Sequence, residues 1–301
     1  MRICSLLPGA TEVVAALGLA DDLVAISHEC DYPPEIRAKP VVIRSRVEPE
    51  RTSSRDIDLQ VRAALKAGTG LYRIDEDLLR RAEPDLIITQ DLCDVCAVTP
   101  AEVQRALKGL ERAPRMLSLN PSNLEDVFRD IKAIGSVTGR DEQARRWVEE
   151  LKGRVNAVRA VLANDNPRRV ACLEWLDPIY SAGHWIPELV NLAGGMDLLA
   201  TAGAKSAVVS WDRVRDLAPE VLVLMPCGFS IARTLSELDR LTSRPGWADV
   251  PAVRSGEVYA VDGSAYFNRP GPRLVDGLEL LASLFYPQRF GNRVPEGAKR
   301  I

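Results

Sequence analysis

The chain has 301 residues, of which 46% are hydrophobic and 27% charged, so it can bury a full core and suits two domains or two lobes of one domain. The net charge is −3 and basic residues form no run, which argues against non-specific binding of nucleic acid. The apolar run at residues 3–7 is too short for a signal peptide or a membrane span. We therefore expect a cytoplasmic protein without membrane insertion, or a periplasmic one if a leader was removed.

The first 120 residues are predicted to form an α/β lobe. Short apolar runs predict its strands, and they lie at residues 2–7, 23–27, 41–43, 86–89 and 116–119. Residues 51–74 are polar and indicate no particular element. Polar and reactive residues follow the strands, in the place where open α/β sheets bind ligands. These candidate site residues are Pro8, His28, Glu29, Cys30, Asp31, Tyr32, Arg44, Cys93 and Cys96.

A long amphipathic helix is predicted at residues 141–162, within a connecting segment at residues 121–165. Apolar residues recur there at steps of three and four, and charged residues fill the opposite face. The apolar stripe consists of Ala144, Trp147, Leu151, Val155, Val158 and Leu162. A helix of this length spans about 33 Å, enough to join two lobes. We expect it to pack along both lobes, with Trp147 largely buried.

Residues 166–290 repeat the plan of the first lobe, and residues 291–301 form a tail. The opening strand at residues 169–173 matches the one at residues 2–6. The candidate site residues of this second lobe follow strands or begin helices, and they are Glu174, Trp175, His184, Trp185, Trp211, Cys227, Phe229, Tyr266, Phe267 and Arg269. We expect them to face the first lobe across a cleft, a usual place for a small-molecule site.

The aromatic residues and His184 each allow two interpretations. Core packing would account for one or two of five aromatic residues, whereas the whole set fits a flat apolar ligand better. The set is Trp175, Trp185, Trp211, Tyr266 and Phe267. His184 is either an axial ligand to cobalt or iron in a tetrapyrrole or a histidine packed in a loop. The chain has no P-loop, dinucleotide-binding or nucleophile-elbow motif, so no catalytic residue is assigned.

Six cysteines in a chain with no sign of export indicate metal or redox chemistry more than a disulfide framework. Cys93 and Cys96 have the spacing of half a metal site or of a redox pair. Cys30 follows another strand of the same lobe, and Cys227 lies on the opposite lobe. These four cysteines are therefore candidate ligands of zinc or an iron–sulfur cluster, with a structural or redox dithiol as the alternative. Cys4 and Cys172 lie inside predicted strands, and we expect them to be small buried residues of the core.

The order and spacing of several segments resemble those of the vitamin B12 periplasmic binding protein-like family, whose members bind cobalamin, heme and iron chelates. The segments are residues 3–12, the strand at residues 84–88, the helix end Gly194-Gly195 and the loop at residues 266–273. This loop resembles the family's aromatic-aromatic-x-Arg loop, which lies at the ligand. The resemblance is closest to a branch without an export signal, whose proteins carry His-Glu-Cys-Asp and Cys-x-x-Cys stretches.

The resemblance implies the class III substrate-binding-protein fold, an α/β fold in which two Rossmann-like βα lobes are joined by a single long helix. It implies a ligand-binding protein rather than an enzyme, with cobalamin or another tetrapyrrole or metal chelate in the cleft. It also implies an ABC transporter permease as a partner. The cysteines leave a second function open, a cytosolic metalloprotein or enzyme with a cysteine-ligated metal or iron–sulfur centre in the cleft.

Overall fold

The computed structural model describes residues 1–47, 52–68, 70–90, 100–107 and 112–301 of the chain. Within these residues the strands form two six-stranded sheets, one in each half of the sequence. The predicted α/β fold with two lobes is therefore confirmed. The domain boundaries expected at residues 120, 165 and 290 remain predictions.

The first lobe is built on a mostly parallel sheet. Its strands are β1 (Ile3–Ser5), β2 (Leu23–Ser27), β3 (Val41–Ser45), β4 (Tyr72–Ile74), β5 (Leu86–Gln90) and β6 (Arg115–Leu119). They lie in the order β4-β3-β2-β1-β5-β6, and the pair β3–β4 is antiparallel. Its helices are α1 (Pro8–Val14), α2 (Ser54–Ala67), α3 (Glu76–Ala82) and α4 (Pro100–Ala106). Because β1 is a central strand, the residues that follow it lie in the middle of the ligand-binding edge of the sheet.

Helix α2 lies in the polar segment for which the sequence predicted no element. It begins after Ser53, whose side chain accepts a hydrogen bond from the Asp56 amide, and it ends at Gly68 in the left-handed conformation. Within α2, Ser54 and Ile57 are buried. Ile57, Val61 and Leu65 recur at steps of four, and Ser53 and Gly68 suit its two ends, so the sequence carries the signals of this helix although the prediction missed it.

The second lobe repeats this architecture. Its strands are β7 (Arg168–Leu176), β8 (Ile179–Ser181), β9 (Gly195–Asp197), β10 (Val221–Leu224), β11 (Val258–Val261) and β12 (Ala298–Arg300). They lie in the order β12-β11-β10-β7-β8, with β9 paired to β7. Its helices are α7 (Ile186–Leu192), α8 (Trp211–Asp216), α9 (Ile231–Leu235), α10 (Asp239–Thr242), α11 (Pro251–Arg254), α12 (Gly263–Tyr266) and α13 (Leu274–Phe285). Strand β12 lies in the segment that was expected to be a tail.

Two helices connect the lobes, α5 (Leu124–Thr138) and α6 (Asp141–Val161), so the predicted long helix is present. Gly139 separates them in the left-handed conformation. The buried residues of α6 are Ala144, Val148, Leu151, Val155 and Val158, and they belong to one apolar core that also contains residues of β1, α1, β7 and α13. The two lobes therefore share a continuous core along these helices.

The expectation that Trp147 is largely buried was wrong. Trp147 is half-buried at the margin of the core, and Val148 occupies the buried position instead. The buried stripe thus runs one residue later at this turn, which keeps the spacing of three and four residues.

On the polar face of α6, Arg154 pairs with Asp276 at 2.5 Å and with Glu279 at 2.6 Å, both on α13. No helix among the described residues has both the length and the apolar composition that a membrane crossing requires.

The shared core predicts that shortening Leu151 destabilises the whole molecule. Leu151 is 3% exposed, so Leu151→Ala removes buried apolar volume and should lower the free energy of unfolding by about 2–5 kcal/mol. Urea unfolding followed by circular dichroism measures this change. The neighbouring Glu150 is exposed, and Glu150→Ala should change the stability by no more than about 0.5 kcal/mol. Equal stability of the two variants would show that α6 does not hold the lobes together.

The end of β9 gives a prediction about pH. Burial raises the pKa of Asp197 from 3.8 to about 6, although the amides of Leu199 and Ala200 donate to its carboxylate. A raised pKa favours the protonated folded state, so this contribution to stability is full at low pH and is lost as the pH rises through about 6. The loss amounts to at most about 3 kcal/mol. Unfolding measured below and above pH 6 checks this, and Asp197→Asn should show no such loss of stability. Asp21 is exposed, so the control Asp21→Asn should lose stability as the wild-type chain does.

Candidate functional site

A cavity of about 90 Å³ lies between the two lobes. The first lobe contributes the residues that follow β1 and the last residue of β5: Leu7, Pro8, Gly9 and Gln90. The second lobe contributes Glu174, Gly183, His184, Trp185, Ile186, Cys227, Phe267, Asn268, Arg269 and Pro270. The cavity therefore lies at the strand ends of both sheets, where ligands bind in open α/β folds.

Trp185 and Phe267 form the aromatic wall of this cavity. Both are buried, and the Trp185 indole N–H donates a hydrogen bond to the Phe267 carbonyl oxygen at 2.7 Å. Trp185 stands immediately before α7, so the start of that helix fixes the position of the ring. Both residues thus line one side of the cavity, while the Phe267 ring itself packs against α13 at Gly277.

His184 lies next to the aromatic wall. Its backbone is in the left-handed region, with φ 53°, and its ring centroid is 5.6 Å from that of Trp185. Burial lowers the pKa of His184, and the nearby Lys205 lowers it further, so the imidazole is neutral at pH 7. A neutral imidazole is the form that coordinates metals, including the metal of a tetrapyrrole.

Glu174 is half-buried and forms hydrogen bonds to the two loops around His184. One of its carboxylate oxygens accepts hydrogen bonds from the Gly183 amide at 3.2 Å and from the Ser206 hydroxyl at 3.0 Å. A side chain at position 183 would collide with the backbone at Ser206. Glycine and the carboxylate together therefore hold these loops close and set the wall that carries His184.

An ion-pair cluster, which we call the Arg269 clasp, joins the lobes beside the cavity through Glu12, Glu29, Asp31, Arg269 and Arg273, of which Glu12 and Arg269 are buried. Arg269 is 8% exposed, and its guanidinium donates hydrogen bonds to both carboxylate oxygens of Asp31. Arg273 donates to both oxygens of Glu12, at 2.6 and 3.0 Å. The three carboxylates belong to the first lobe and the two arginines to the second, so the clasp holds across the cleft.

Burial and charge act in opposite directions on the carboxylates of the Arg269 clasp. Burial raises the pKa of Glu12, even though both arginines favour its charged form. A hydrogen bond from His28 lowers the pKa of Glu29, and Arg269, 3.7 Å away, lowers it further. Buried charges are tolerated when they are paired, and removing one partner leaves the others uncompensated. Separating the lobes would therefore leave Glu12 and Arg269, the two most buried members of the clasp, without their partners across the cleft.

The lobes also meet through their backbones. Gly9, in the first turn of α1, lies against Pro270 and Gly271, and a Cβ atom at position 9 would collide with the Pro270 carbonyl oxygen. A Cβ atom at position 271 would lie 2.9 Å from the Gly9 Cα atom. This close approach between lobes requires glycine at both positions.

Several residues predicted for the site lie elsewhere. Trp211 stacks on Trp247 at 5.8 Å in a separate core of the second lobe, and Tyr266 packs toward the segment at Gly297. The ring of Trp175 lies 5.0 Å from that of Phe229, and neither ring lines the cavity. Two of the five aromatic residues of the predicted set thus line it, because a position after a strand does not fix the direction of the side chain.

The predicted polar residues of the first lobe lie around the cavity rather than in it. Glu29 and Asp31 belong to the Arg269 clasp. Tyr32 is exposed, with the Arg273 guanidinium 4.3 Å from its ring centre, and His28 contacts the Ile43 carbonyl oxygen at 3.1 Å. Arg44 is exposed on β3 and does not line the cavity. Pro8, the apolar candidate of this lobe, does line the cavity.

The cysteines do not form a metal site within the part of the chain that the structure describes. Cys30 is buried in the core, 3.0 Å from the Thr11 hydroxyl, and burial raises its pKa to about 12, so its thiol is protonated at neutral pH. Cys227 is exposed at the cavity. Among the described residues, no group of three or more potential ligands is arranged to hold a metal ion. The predicted ligands Cys93 and Cys96 lie outside the described residues.

Sequence reasoning missed several residues of the site, namely Gly9, Glu12, Gln90, Asn268 and Arg273. All but Gln90 lie in two of the segments that carry the family resemblance, residues 3–12 and 266–273. Those segments were the available signal, since the acidic residue of the first could have been paired with the arginines of the second across the cleft.

The close contact at Gly9 predicts that adding one methyl group at this position pushes the two lobes apart. Gly9→Ala forces the backbones of α1 and the Pro270 loop apart, and should lower the free energy of unfolding by about 1–3 kcal/mol while increasing the radius of gyration. Urea unfolding and small-angle X-ray scattering measure the two effects. A Cβ atom at Gly153 on α6 would meet no atom within 4 Å, so Gly153→Ala should instead stabilise by about 0.5–1 kcal/mol. A Gly9→Ala protein with unchanged stability and size would contradict the contact.

Comparison with known proteins agrees with the two-lobed α/β fold. A family model described as periplasmic binding protein matches residues 3–265. A vitamin B12-binding protein of Vibrio cholerae is 25% identical over 280 residues, covering 92% of this chain and 86% of that protein. An uncharacterized ABC transporter substrate-binding lipoprotein of Bacillus subtilis is 24% identical over 296 residues, covering 96% of this chain and 81% of that protein.

Solved structures show the same fold. The periplasmic vitamin B12-binding protein of Vibrio cholerae superimposes with a TM-score of 0.69 at 24% identity, covering 95% of this chain and 96% of that one. A periplasmic heme-binding protein from Roseiflexus gives a TM-score of 0.72 at 23% identity, covering 96% and 98%. The resemblance inferred from the sequence is confirmed, and the chain belongs to the periplasmic binding protein family.

Proposed function

We propose that the chain is a substrate-binding protein whose ligand, cobalamin or a related tetrapyrrole or metal chelate, binds in the cleft between the lobes. The observation that carries the proposal is the inter-lobe cavity with its wall of Trp185 and Phe267. The relatives named for vitamin B12 and heme support the ligand class, because these ligands offer large flat surfaces to such a wall.

In this proposal the residues of the cavity have different roles. Trp185 and Phe267 contact the flat apolar face of the ligand, and Pro8 of the first lobe lies across from them. The neutral imidazole of His184 faces the metal, whose open axial position suits it. Arg269 binds polar groups at the ligand's edge through its guanidinium, which presents several donors in a fixed plane.

The size of the cavity implies that the lobes move. Sites for drug-sized ligands occupy about 300–1,000 Å³, whereas this cavity has about 90 Å³. A tetrapyrrole therefore enters only when the lobes separate, which breaks the Arg269 clasp. Separation uncovers Arg269, Glu29 and Asp31, whose charges then become available to the amide or carboxylate groups of the ligand.

We propose the permease of an ABC transporter as the partner. The Bacillus subtilis relative is named a substrate-binding lipoprotein of such a transporter, and this supports the assignment. A transport role goes with the periplasmic location that the sequence left open, rather than with the cytoplasmic one.

Ligand titration tests the proposed function. Cyanocobalamin, dicyanocobinamide and hemin are titrated into the full chain by isothermal titration calorimetry, and at least one should bind saturably. Trp185→Phe removes the indole that shapes the aromatic wall and should weaken that binding about tenfold or more, which corresponds to about 1.4 kcal/mol. Trp211→Phe, in the separate core, should leave the affinity unchanged. Failure of all three ligands to bind the wild-type chain would refute the proposal, and equal loss in both variants would place the site elsewhere.

A further inference from the structure

Helix α2 of the first lobe is attached to the second lobe at its first turn. Ser54 is completely buried there, and its amide donates to both carboxylate oxygens of Glu237 at 3.0 Å. The Ser54 hydroxyl donates to the same carboxylate. A carboxylate at the start of a helix is stabilised by the helix dipole and by amides that lack a partner within the helix. Here that carboxylate comes from the opposite lobe.

The Glu237 carboxylate is held in place by a closed ring of contacts. Arg233 donates to Glu237 at 2.5 Å and to the Thr52 carbonyl oxygen at 2.7 Å. The Arg233 guanidinium lies 4.5 Å from the ring centre of Phe229, and Phe229 packs on Trp175. The Trp175 indole N–H donates to the Ser54 carbonyl oxygen at 3.0 Å, which closes the ring.

A second attachment lies further along α2. The Tyr180 hydroxyl donates to Asp58 at 2.9 Å and accepts from Arg62 at 3.1 Å, while Arg62 pairs with Asp58 at 2.7 Å. Tyr180 belongs to β8 of the second lobe. Together the two attachments hold the first half of α2 along a stretch of about 12 Å.

The charges of this contact favour attachment. Burial alone would raise the pKa of Glu237, but the hydrogen bonds from Ser54 and Arg233 hold it below its usual value, so the carboxylate is charged at neutral pH. Glu237 and Arg233 are largely withdrawn from water, and detaching α2 removes two donors from this buried carboxylate. Leaving a buried charge without its partners is strongly unfavourable.

We propose that α2 is a strap that fastens the two lobes independently of the Arg269 clasp, with Glu237 as the residue that holds it. The strap contact shares no residue with the clasp. It also covers the Trp175–Phe229 pair, in which Trp175 lies near the end of β7 and Phe229 follows β10. Release of the strap uncovers this pair as a second aromatic surface of the opened cleft. That last step rests on the proposed function, whereas the strap itself does not.

Hydrogen exchange of the free protein tests the strap without any ligand. Glu237→Ala should make the amides of residues 54–62 exchange at least about tenfold faster, because a detached helix of this length is only marginally stable. Small-angle X-ray scattering of the same variant should give a larger radius of gyration. Glu257, a second-lobe carboxylate that pairs with Arg300 of its own lobe, supplies the matched control, and Glu257→Ala should change neither measurement.

Unchanged protection of residues 54–62 in Glu237→Ala, or faster exchange with an unchanged radius of gyration, would overturn the proposal. If Glu237→Ala does not fold, Trp175→Phe removes the hydrogen bond to Ser54 and part of the packing on Phe229, and should shift both measurements in the same direction by a smaller amount. The entry step is tested by stopped-flow mixing with cyanocobalamin, which should associate faster with Glu237→Ala than with Glu257→Ala. A wild-type chain that does not bind cyanocobalamin would refute that ligand and leave the strap to be decided by exchange and scattering.

Discussion

The buried guanidinium of Arg269 determines how the two lobes lie against each other. A charge so far withdrawn from water is stable only beside groups of opposite charge, and here these are carboxylates of the other lobe. The lobes must therefore stay close for Arg269 to remain paired. With the lobes so close, Gly9 lies against Pro270 and the cavity lined by Trp185 and Phe267 stays small.

The lobes are joined by two kinds of contact with different physical character. Along α5 and α6 the contact is an apolar core, which has no low-energy open form because exposing it would place apolar surface in water. Across the cleft the contacts are ion pairs and hydrogen bonds, which water can replace when the lobes part. The contact between the lobes is thus apolar along α5 and α6 and polar across the cleft.

The sequence predicted the fold well because its signals are local and repeated. The stripe of α6 and the buried strands of both sheets follow regular patterns. The prediction for α6 differs from the structure at one turn, where Val148 rather than Trp147 is buried. The site was predicted less well because it depends on side-chain direction and on distant pairs. The side chain of Trp211 packs in a separate core, and Cys30 is buried beside Thr11. The carboxylate partners of Arg269 lie more than 200 positions away in the chain. The signals of helix α2 were overlooked, since Ser53, Gly68 and the apolar residues Ile57, Val61 and Leu65 stand at the positions that an amphipathic helix requires.

The indole of Trp175 has a consequence for spectroscopy. Its N–H is donated to a carbonyl oxygen of the other lobe, and its ring lies on Phe229 with Arg233 nearby. Indole emission shifts with hydrogen bonding and with exposure to water, so this residue is an intrinsic optical probe of the distance between lobes. The protein can therefore report on its own opening in solution without any attached dye.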